Sequence, residues 1–429
     1  MEKAILPYGK DYITLDFPEK NELTFLEPPS SGSIISDIKQ TVEDLLESPD
    51  TGDALRKIIQ KKKQKVQGPS AVVIVNDLSR STPVKELLPP VLETLHKEGI
   101  SKDKVTILIA TGTHRVLTDE ENVYLLGKEI TERYRIESHD CDSDDLISAG
   151  TLSTGNELLI NGTVARADLR IAIGEVLFHY FAGVAGGRKS LCPGVCGRST
   201  IMRNHQMMTH PAARLGNIDN NPLNNELMEA LDLCPLDFIV NALCNHRKEV
   251  ATIVAGDPVA SWEKGVKIFK ELNTVTVSRP SKVVIASAGG FPKDINLYQT
   301  QKAFEMAGQA VKDGGSLVIF AECPEEYGNK TFESWAKEEM TSDEVIDRFE
   351  SGFQLGAHKL YYLARMSRRI NLFLYSSLNE ETSKKVFCTK IRSWEDCLKK
   401  LQSLHGDDFD ALLISQGGIL LPQISGNNR

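Results

Sequence analysis

The sequence predicts an α/β protein made of two α/β domains with mostly parallel sheets. Short apolar runs rich in Val, Ile and Leu read as strands covered on both faces, and helical patterns alternate with them. At 429 residues the chain is also long for one core. In chain order, AVVIV (Ala71–Val75) is the first such strand, and PPVLETLHKEG (Pro89–Gly99) is a helix that stops at glycine. VTILIA (Val105–Ala110) and LRIAIG (Leu169–Gly174) follow, then the helical STIMRNHQMM (Ser199–Met208). KVVIAS (Lys282–Ser287) opens a second series, with the helix NLYQTQKAFEMAGQAV (Asn296–Val311) and the strands SLVIF (Ser316–Phe320) and NLFLY (Asn371–Tyr375). WEDCLKKLQSLHG (Trp394–Gly406) and ALLIS (Ala411–Ser415) complete it. Between the two series, TVTVSRPSK (Thr274–Lys282) follows the amphipathic SWEKGVKIFKEL and carries a proline among small polar residues. It divides the chain into an N-terminal domain over 1–273, a hinge over 274–281 and a C-terminal domain over 282–429.

Bulk properties exclude several functions. A formal net charge of −9 argues against a nucleic-acid surface, and KKKQK (Lys61–Lys65) reads as the exposed end of a helix. No apolar run is long enough to span a membrane, and the first residues lack the apolar segment of a secretion signal. Eight cysteines without regular spacing suit reduced thiols in a cytoplasmic protein. Cys192 and Cys196 have no second cysteine pair with which to build a zinc site. Against this acidic background, basic residues beside strand ends suit a small anionic ligand.

Ligands of open α/β sheets lie beyond the carboxyl ends of the strands, and the segments there carry the chemistry. After AVVIV, NDLSRSTP sets Asp77 and Arg80 in one turn, either as a carboxylate-gripping arginine with a supporting aspartate or as a local cap and ion pair. After VTILIA, TGTHR presents His114, which could serve as acid or base or simply be structural. After LRIAIG comes FHYFAGVAGGRKSLCPG, with His179, the Gly186-Gly187 pair, Arg188 and Lys189. Arg188 stands where the phosphate-loop pattern G-x-x-x-x-G-K-[ST] requires glycine, so that reading fails. A lysine carrying a covalent group survives it. His205 lies in a following helix that Ser199 could cap, so His179, Lys189 and His205 belong to one local unit. After KVVIAS, AGGFPKDINLYQTQKA places Tyr298, Gln299 and Lys302 on one helix face near its start, a setting that favours an anion.

Together, NDLSRSTP, ATGTHR, FHYFAGVAGGRKSLCPG with its downstream Asn-His, and GGFPKDINLYQTQKA resemble the nickel-pincer lactate racemase family, over most of the chain and in the family's order. The resemblance implies an isomerase with its active site in the interdomain cleft. It also implies a nickel-pincer nucleotide, a pyridinium thioamide-thiocarboxylate mononucleotide held covalently on Lys189, with His205 as the protein's ligand to nickel. By the same resemblance His114 and His179 are the acid/base pair, and Arg80, Tyr298, Gln299 and Lys302 bind a 2-hydroxy acid. Asp77, Gly186, Gly187 and Arg188 attend the cofactor or, for Asp77, support Arg80. Accessory proteins that make the cofactor are implied partners.

One position departs from the pattern. Lactate-acting members carry tryptophan where FQLGAHKLYYLARM has His358, so a substrate longer or more polar than lactate is expected, meeting His358 or Lys359. Two other readings stay open on residues alone: a zinc hydrolase using His114, His179 and His205, and a binding protein that kept the scaffold without catalysis.

Overall fold

The computed structural model describes residues 2–18, 22–27, 29, 34–245, 247 and 249–425, and the chain forms two compact units. One comprises 31–272 and the other 1–30 with 273–429.

In the 31–272 unit the apolar runs form a six-stranded sheet. Its order is Val250–Gly256, Phe238–Cys244, Leu169–Glu175, Ala71–Asn76, Val105–Ala110, Arg135–Ser138. Every neighbouring pair is parallel except the edge strand Val250–Gly256, which returns antiparallel to Phe238–Cys244. Buried Val73, Val75, Ile107, Ile109, Ile171 and Ile173 pack on Leu87, Val91 and Leu95 of the helix Val84–Lys97. Burial on both sheet faces is why these runs are continuous rather than alternating. The chain leaves Ala71–Asn76 toward one edge and later crosses back to lay Leu169–Glu175 on its other side. The order therefore reverses between these two strands, and a crevice opens at their carboxyl ends.

The other unit holds a six-stranded, all-parallel sheet in the order Thr389–Ile391, Asn371–Tyr375, Val311–Phe320, Ser281–Ser287, Ala411–Ile414, Leu23–Phe25. The first strand-forming residues of the chain belong here, which corrects the expected 1–273 domain. Leu23–Phe25 adds to the sheet edge beside Ala411–Leu413. The hairpin Glu2–Tyr8/Asp11–Phe17 turns Ala4, Leu6, Leu15 and Phe17 into the core beside Val283, Phe320 and Trp394. Trp394 Nε1 donates to the Asp16 carbonyl at 2.7 Å, which pins that hairpin. The expected hinge is also part strand, because Thr274–Val277 pairs in parallel with Leu421–Ile424. Local composition reads as linker there, while the pairing partner lies far along the chain.

The helix carrying His205 runs Arg198–Gln206 with Gly197 as its N-cap and no side-chain cap, so Ser199 is an interior residue and not the expected cap.

Candidate active site

Three segments from adjacent strands converge in the 31–272 unit. They line one cavity of about 140 Å³, whose walls include Asp77, Arg80, His114, His179, Lys189 and His205. The order reversal of the sheet puts these loops side by side, although more than a hundred residues separate the first from the last.

Asp77 follows Ala71–Asn76 and is buried, with 6% of its surface exposed. His114 Nδ1 lies 2.6 Å from Asp77 Oδ2, while Ser79 donates to Oδ1 from its hydroxyl (2.5 Å) and its backbone N–H (3.2 Å). Burial alone would raise the Asp77 pKa. The hydrogen bonds from His114 and Ser79, with the His114 and Arg80 charges, outweigh it and hold the carboxyl below its ordinary value. Asp77 is thus the orienting partner of His114, a role the sequence reading missed when it assigned Asp77 to Arg80 or the cofactor. Arg80 is exposed at the cavity rim and His114 stands on an exposed turn.

The glycine-rich segment is held from behind. Gly186 and Gly187 have φ of +91° and +50°, and Gly187 N–H donates to Asn241 Oδ1 at 3.0 Å. A Cβ on Gly186 would sit 2.7 Å from Asn241 Oδ1, and one on Gly187 would sit 3.1 Å from Trp262. These glycines therefore let the loop press against its own unit, and only Gly186 reaches the cavity wall. Arg188 corrects the expectation that it attends the cofactor. It is fully buried with its guanidinium 3.5 Å over the Trp262 ring, and it donates to Asn224 Oδ1 (2.9 Å), Val184 O (3.1 Å) and Gly186 O (3.3 Å). Burial pulls its pKa down to about 9, still charged at neutral pH. Arg188→Leu is expected to cost about 2–4 kcal/mol by leaving buried acceptors without donors. Equilibrium urea unfolding measures it, and an unchanged midpoint would refute the anchoring role.

With Arg188 facing inward, its neighbour Lys189 faces the cavity, its Nζ 5.9 Å from the centroid of the Phe181 ring. Desolvation first, then the Arg80 and Arg188 charges, bring Lys189 down to about 7. Desolvation, then the Lys189 charge, drives His205 to about 3, so its imidazole is neutral and offers a lone pair at any physiological pH. The base of the His205 helix is fixed by buried His139, whose Nε2 lies 2.9 Å from the Cys196 carbonyl. Asn204 Nδ2 donates to Glu226 at 2.7 Å further along that helix.

Glu175 is a further wall residue the sequence reading missed. Its carboxylate accepts from Ser81 N–H and Ser81 Oγ, both at 3.1 Å, and so ties the Arg80 turn to the end of Leu169–Glu175. A charged residue ending an apolar run, LRIAIGE, was the available signal. Among the described residues, His114, His179 and His205 do not form a metal-ligating trio. The one such group of three with ligand atoms within 4.8 Å of one another among these residues is Asp140, Cys141 and Asp142, the two aspartates exposed and the cysteine buried.

Tyr298, Gln299, Lys302 and His358 lie in the other unit. The helix Leu297–Ala307 starts at Asn296, whose side chain caps Gln299 N–H, and Lys302 Nζ donates to Gln299 Oε1 at 2.9 Å. His358 is buried edge-on to Tyr298 (centroids 6.0 Å apart), and Gly356 N–H donates to its Nδ1 at 3.1 Å.

The chain is similar to proteins already known. Residues 8–216 match the lactate racemase N-terminal domain and residues 276–421 the lactate racemase C-terminal domain. The lactate racemase of Thermoanaerobacterium thermosaccharolyticum is 31% identical over 97% of this chain and 98% of its own length. This chain belongs to the lactate racemase family. The lactate racemase of Lactiplantibacillus plantarum is 32% identical over 76% of each protein. The apoprotein structure of the T. thermosaccharolyticum lactate racemase covers 98% of this chain and superposes with a TM-score of 0.89 at 29% identity. A Thermotoga maritima structure at 16% identity and a TM-score of 0.65 shares the fold. Membership of a racemase family supports racemase activity. No helix among the described residues is long and apolar enough to cross a membrane.

Proposed function

We propose that this lactate racemase family member inverts the Cα of a 2-hydroxy acid by reversible hydride transfer, through a 2-oxo acid, to a nickel-pincer nucleotide attached to Lys189. The observation that carries it is the pairing, in one cavity, of a lysine brought to about 7 with a histidine held at about 3. The first is half neutral near pH 7 and can act as a nucleophile toward an activated carboxyl group. The second is a permanently neutral imidazole, the form that ligates nickel. One protein imidazole beside a nucleophilic lysine suits a metal delivered by a ligand bound to that lysine, and the described residues offer a zinc-hydrolase reading no three-histidine site.

Bound at Lys189 with His205 on its nickel, the group would supply a hydride acceptor. The chain's own residues do the rest. Hydride transfer avoids a carbanion beside an ionised carboxylate. It requires removal of the hydroxyl proton, for which the Asp77-backed His114 is equipped. His179 lines the same cavity, and Arg80 at its rim suits the substrate carboxylate. Intact mass and nickel analysis of protein made alongside the cofactor-synthesis proteins tests the reading. A nucleotide-sized mass on the Lys189 peptide with near-equimolar nickel supports it, and an unmodified Lys189 without nickel rejects it.

The lysine can be examined without cofactor. Because its pKa falls to about 7, amine-reactive labelling of Lys189 in the apoprotein is expected to rise between pH 6 and 8 and then level off. Lysines with an ordinary pKa near 10.4 keep gaining reactivity above that range. Peptide mass spectrometry reads both, and a Lys189 profile that tracks surface lysines contradicts the poised amine.

We further propose a substrate with a second polar group, bound by Tyr298, Gln299 and Lys302 together with His358 or Lys359. His358 and Lys359 are buried beside Tyr298, with Lys359 Nζ 5.0 Å from the Tyr298 ring centroid and donating to Gln301 Oε1 at 2.9 Å. Burial, then Lys302, lowers Lys359 to about 7, and burial raises neighbouring Glu305 to about 7. A panel of 2-hydroxy acids is expected to favour polar side chains over lactate, and His358→Trp to reverse that order by roughly tenfold, the worth of one lost polar contact. A profile unchanged by the substitution would exclude His358 from selection, and a parent that favours lactate would leave lactate itself as the substrate.

A further inference from the structure

The two cavity histidines are held by opposite hydrogen bonds. His114 Nδ1 faces the Asp77 carboxylate at 2.6 Å, whereas His179 Nδ1 accepts the Ala182 backbone N–H at 3.2 Å. A carboxylate only accepts, so a neutral His114 ring carries its proton on Nδ1 and keeps a lone pair on Nε2. A backbone N–H only donates, so neutral His179 keeps its lone pair at Nδ1 and its proton on Nε2. Their settings differ as well. His114 stands on an exposed turn, while His179 is 9% exposed and lies in a short ladder opposite Gly183. Its ring is stacked on Tyr180 (5.0 Å) and meets Phe181 edge-on (4.4 Å). Rotation that exchanged the two nitrogens of His179 would have to break that packing.

We infer that these histidines are non-equivalent in the resting protein: His114 is the proton acceptor at the substrate hydroxyl, and His179 is a neutral Nε2–H donor that polarises the substrate oxygen. When the hydroxyl proton moves to His114 Nε2, the O–H electron pair stays on the oxygen and Asp77 faces the new imidazolium. His179 cannot accept a proton at Nε2 until its own proton has moved to Nδ1, where two donors would then oppose each other at Ala182. The enantiomer whose hydroxyl faces His179 therefore reacts only after a tautomeric rearrangement, and the resting protein is prepared for one enantiomer. Two interchangeable bases would need no such step.

This inference rests on the hydride-transfer reading for the identity of the reacting proton, but its test does not. The full-length apoprotein, labelled with ¹⁵N-histidine, is observed by NMR at mildly alkaline pH, where histidine is neutral. His114 and His179 are assigned from H114Q and H179Q. A second assignment comes from coupling across the hydrogen bond between ¹⁵N-alanine at Ala182 and His179, which needs no folded variant. The expected result is a pyrrole-type Nδ1 with pyridine-type Nε2 at His114, and the reverse at His179. Asp77→Asn should shift the His114 pair and leave the His179 pair unmoved. The same tautomer at both rings, a pyrrole-type Nδ1 at His179, or equal shifts of both rings in Asp77→Asn overturns the inference. Failure to find nickel or nucleotide on Lys189 would reject the proposed function and leave these spectra unchanged.

Discussion

Lys189→Arg is expected to give a folded protein that carries no nucleotide mass and has lost racemisation by more than about 10⁴-fold, since the full acceleration of an enzyme is about 10⁶ or greater. The substitution keeps a positive charge at the cavity wall and removes the amine. A guanidinium is neither deprotonated nor acylated at neutral pH, whereas Lys189 has been brought to about 7 by burial and by the Arg80 and Arg188 charges. Charge alone therefore cannot rescue the variant if Lys189 is a covalent anchor. Lys189→Ala should behave identically in mass and activity. Lys189→Ala should unfold no earlier than the parent, because the lysine's own burial disfavours its charged form, whereas Lys189→Arg keeps a cation it cannot shed and should unfold somewhat earlier. Intact mass, enantiomer interconversion and thermal unfolding on one preparation are the measurements. A nucleotide mass persisting in both variants would move the anchor to another residue.

Asp77→Asn is expected to lower kcat roughly 10²–10⁴-fold with little change in fold. Asparagine can present its amide N–H to His114 Nδ1, which would move the ring proton to Nε2 and remove the lone pair that takes the hydroxyl proton. Because the overall equilibrium constant belongs to substrate and product alone, kcat/KM must fall by the same factor in both directions. Unequal falls would signal a second process in the assay. The sign of the pH effect follows from the depressed Asp77 pKa. The pair contributes stability above the ordinary Asp value of about 3.9, and that contribution is lost as pH falls through the lower folded value. At neutral pH Asp77 is ionised, so the loss in the variant comes from tautomer, orientation and the missing charge opposite the imidazolium. Full activity in Asp77→Asn would show that His114 works without this partner.

Much of the site was legible because its residues follow strands whose apolar runs are continuous. Ala71–Asn76, Val105–Ala110 and Leu169–Glu175 are all where those runs lie, so the sequence alone places His114, Lys189 and Arg80 at carboxyl ends. Helix stops at glycine were equally readable, as the helices Val84–Lys97 and Trp394–His405 end just before Gly99 and Gly406. The direction of Arg188 was not readable. Adjacent basic residues in a glycine-rich loop look alike in sequence, and only Trp262 and Asn224, far along the chain, separate the buried one from the one at the cavity. Asp77 likewise reads as a partner for Arg80 three residues away until the sheet brings His114 to 2.6 Å.

What the sequence determined by itself was therefore local and periodic: the α/β class, the strand runs, the helix ends and the residue types offered beyond each strand. What only the tertiary structure decided was which of those residues meet. Residues 1–30 join the C-terminal unit because backbone pairing at Leu23–Phe25 and the apolar face of Glu2–Phe17 find complements between Val283 and Leu413. The two histidines take opposite protonation patterns because one ring meets a carboxylate and the other a backbone N–H. Periodicity is carried by neighbours in the chain, whereas hydrogen-bond partners and burial are set by neighbours in space.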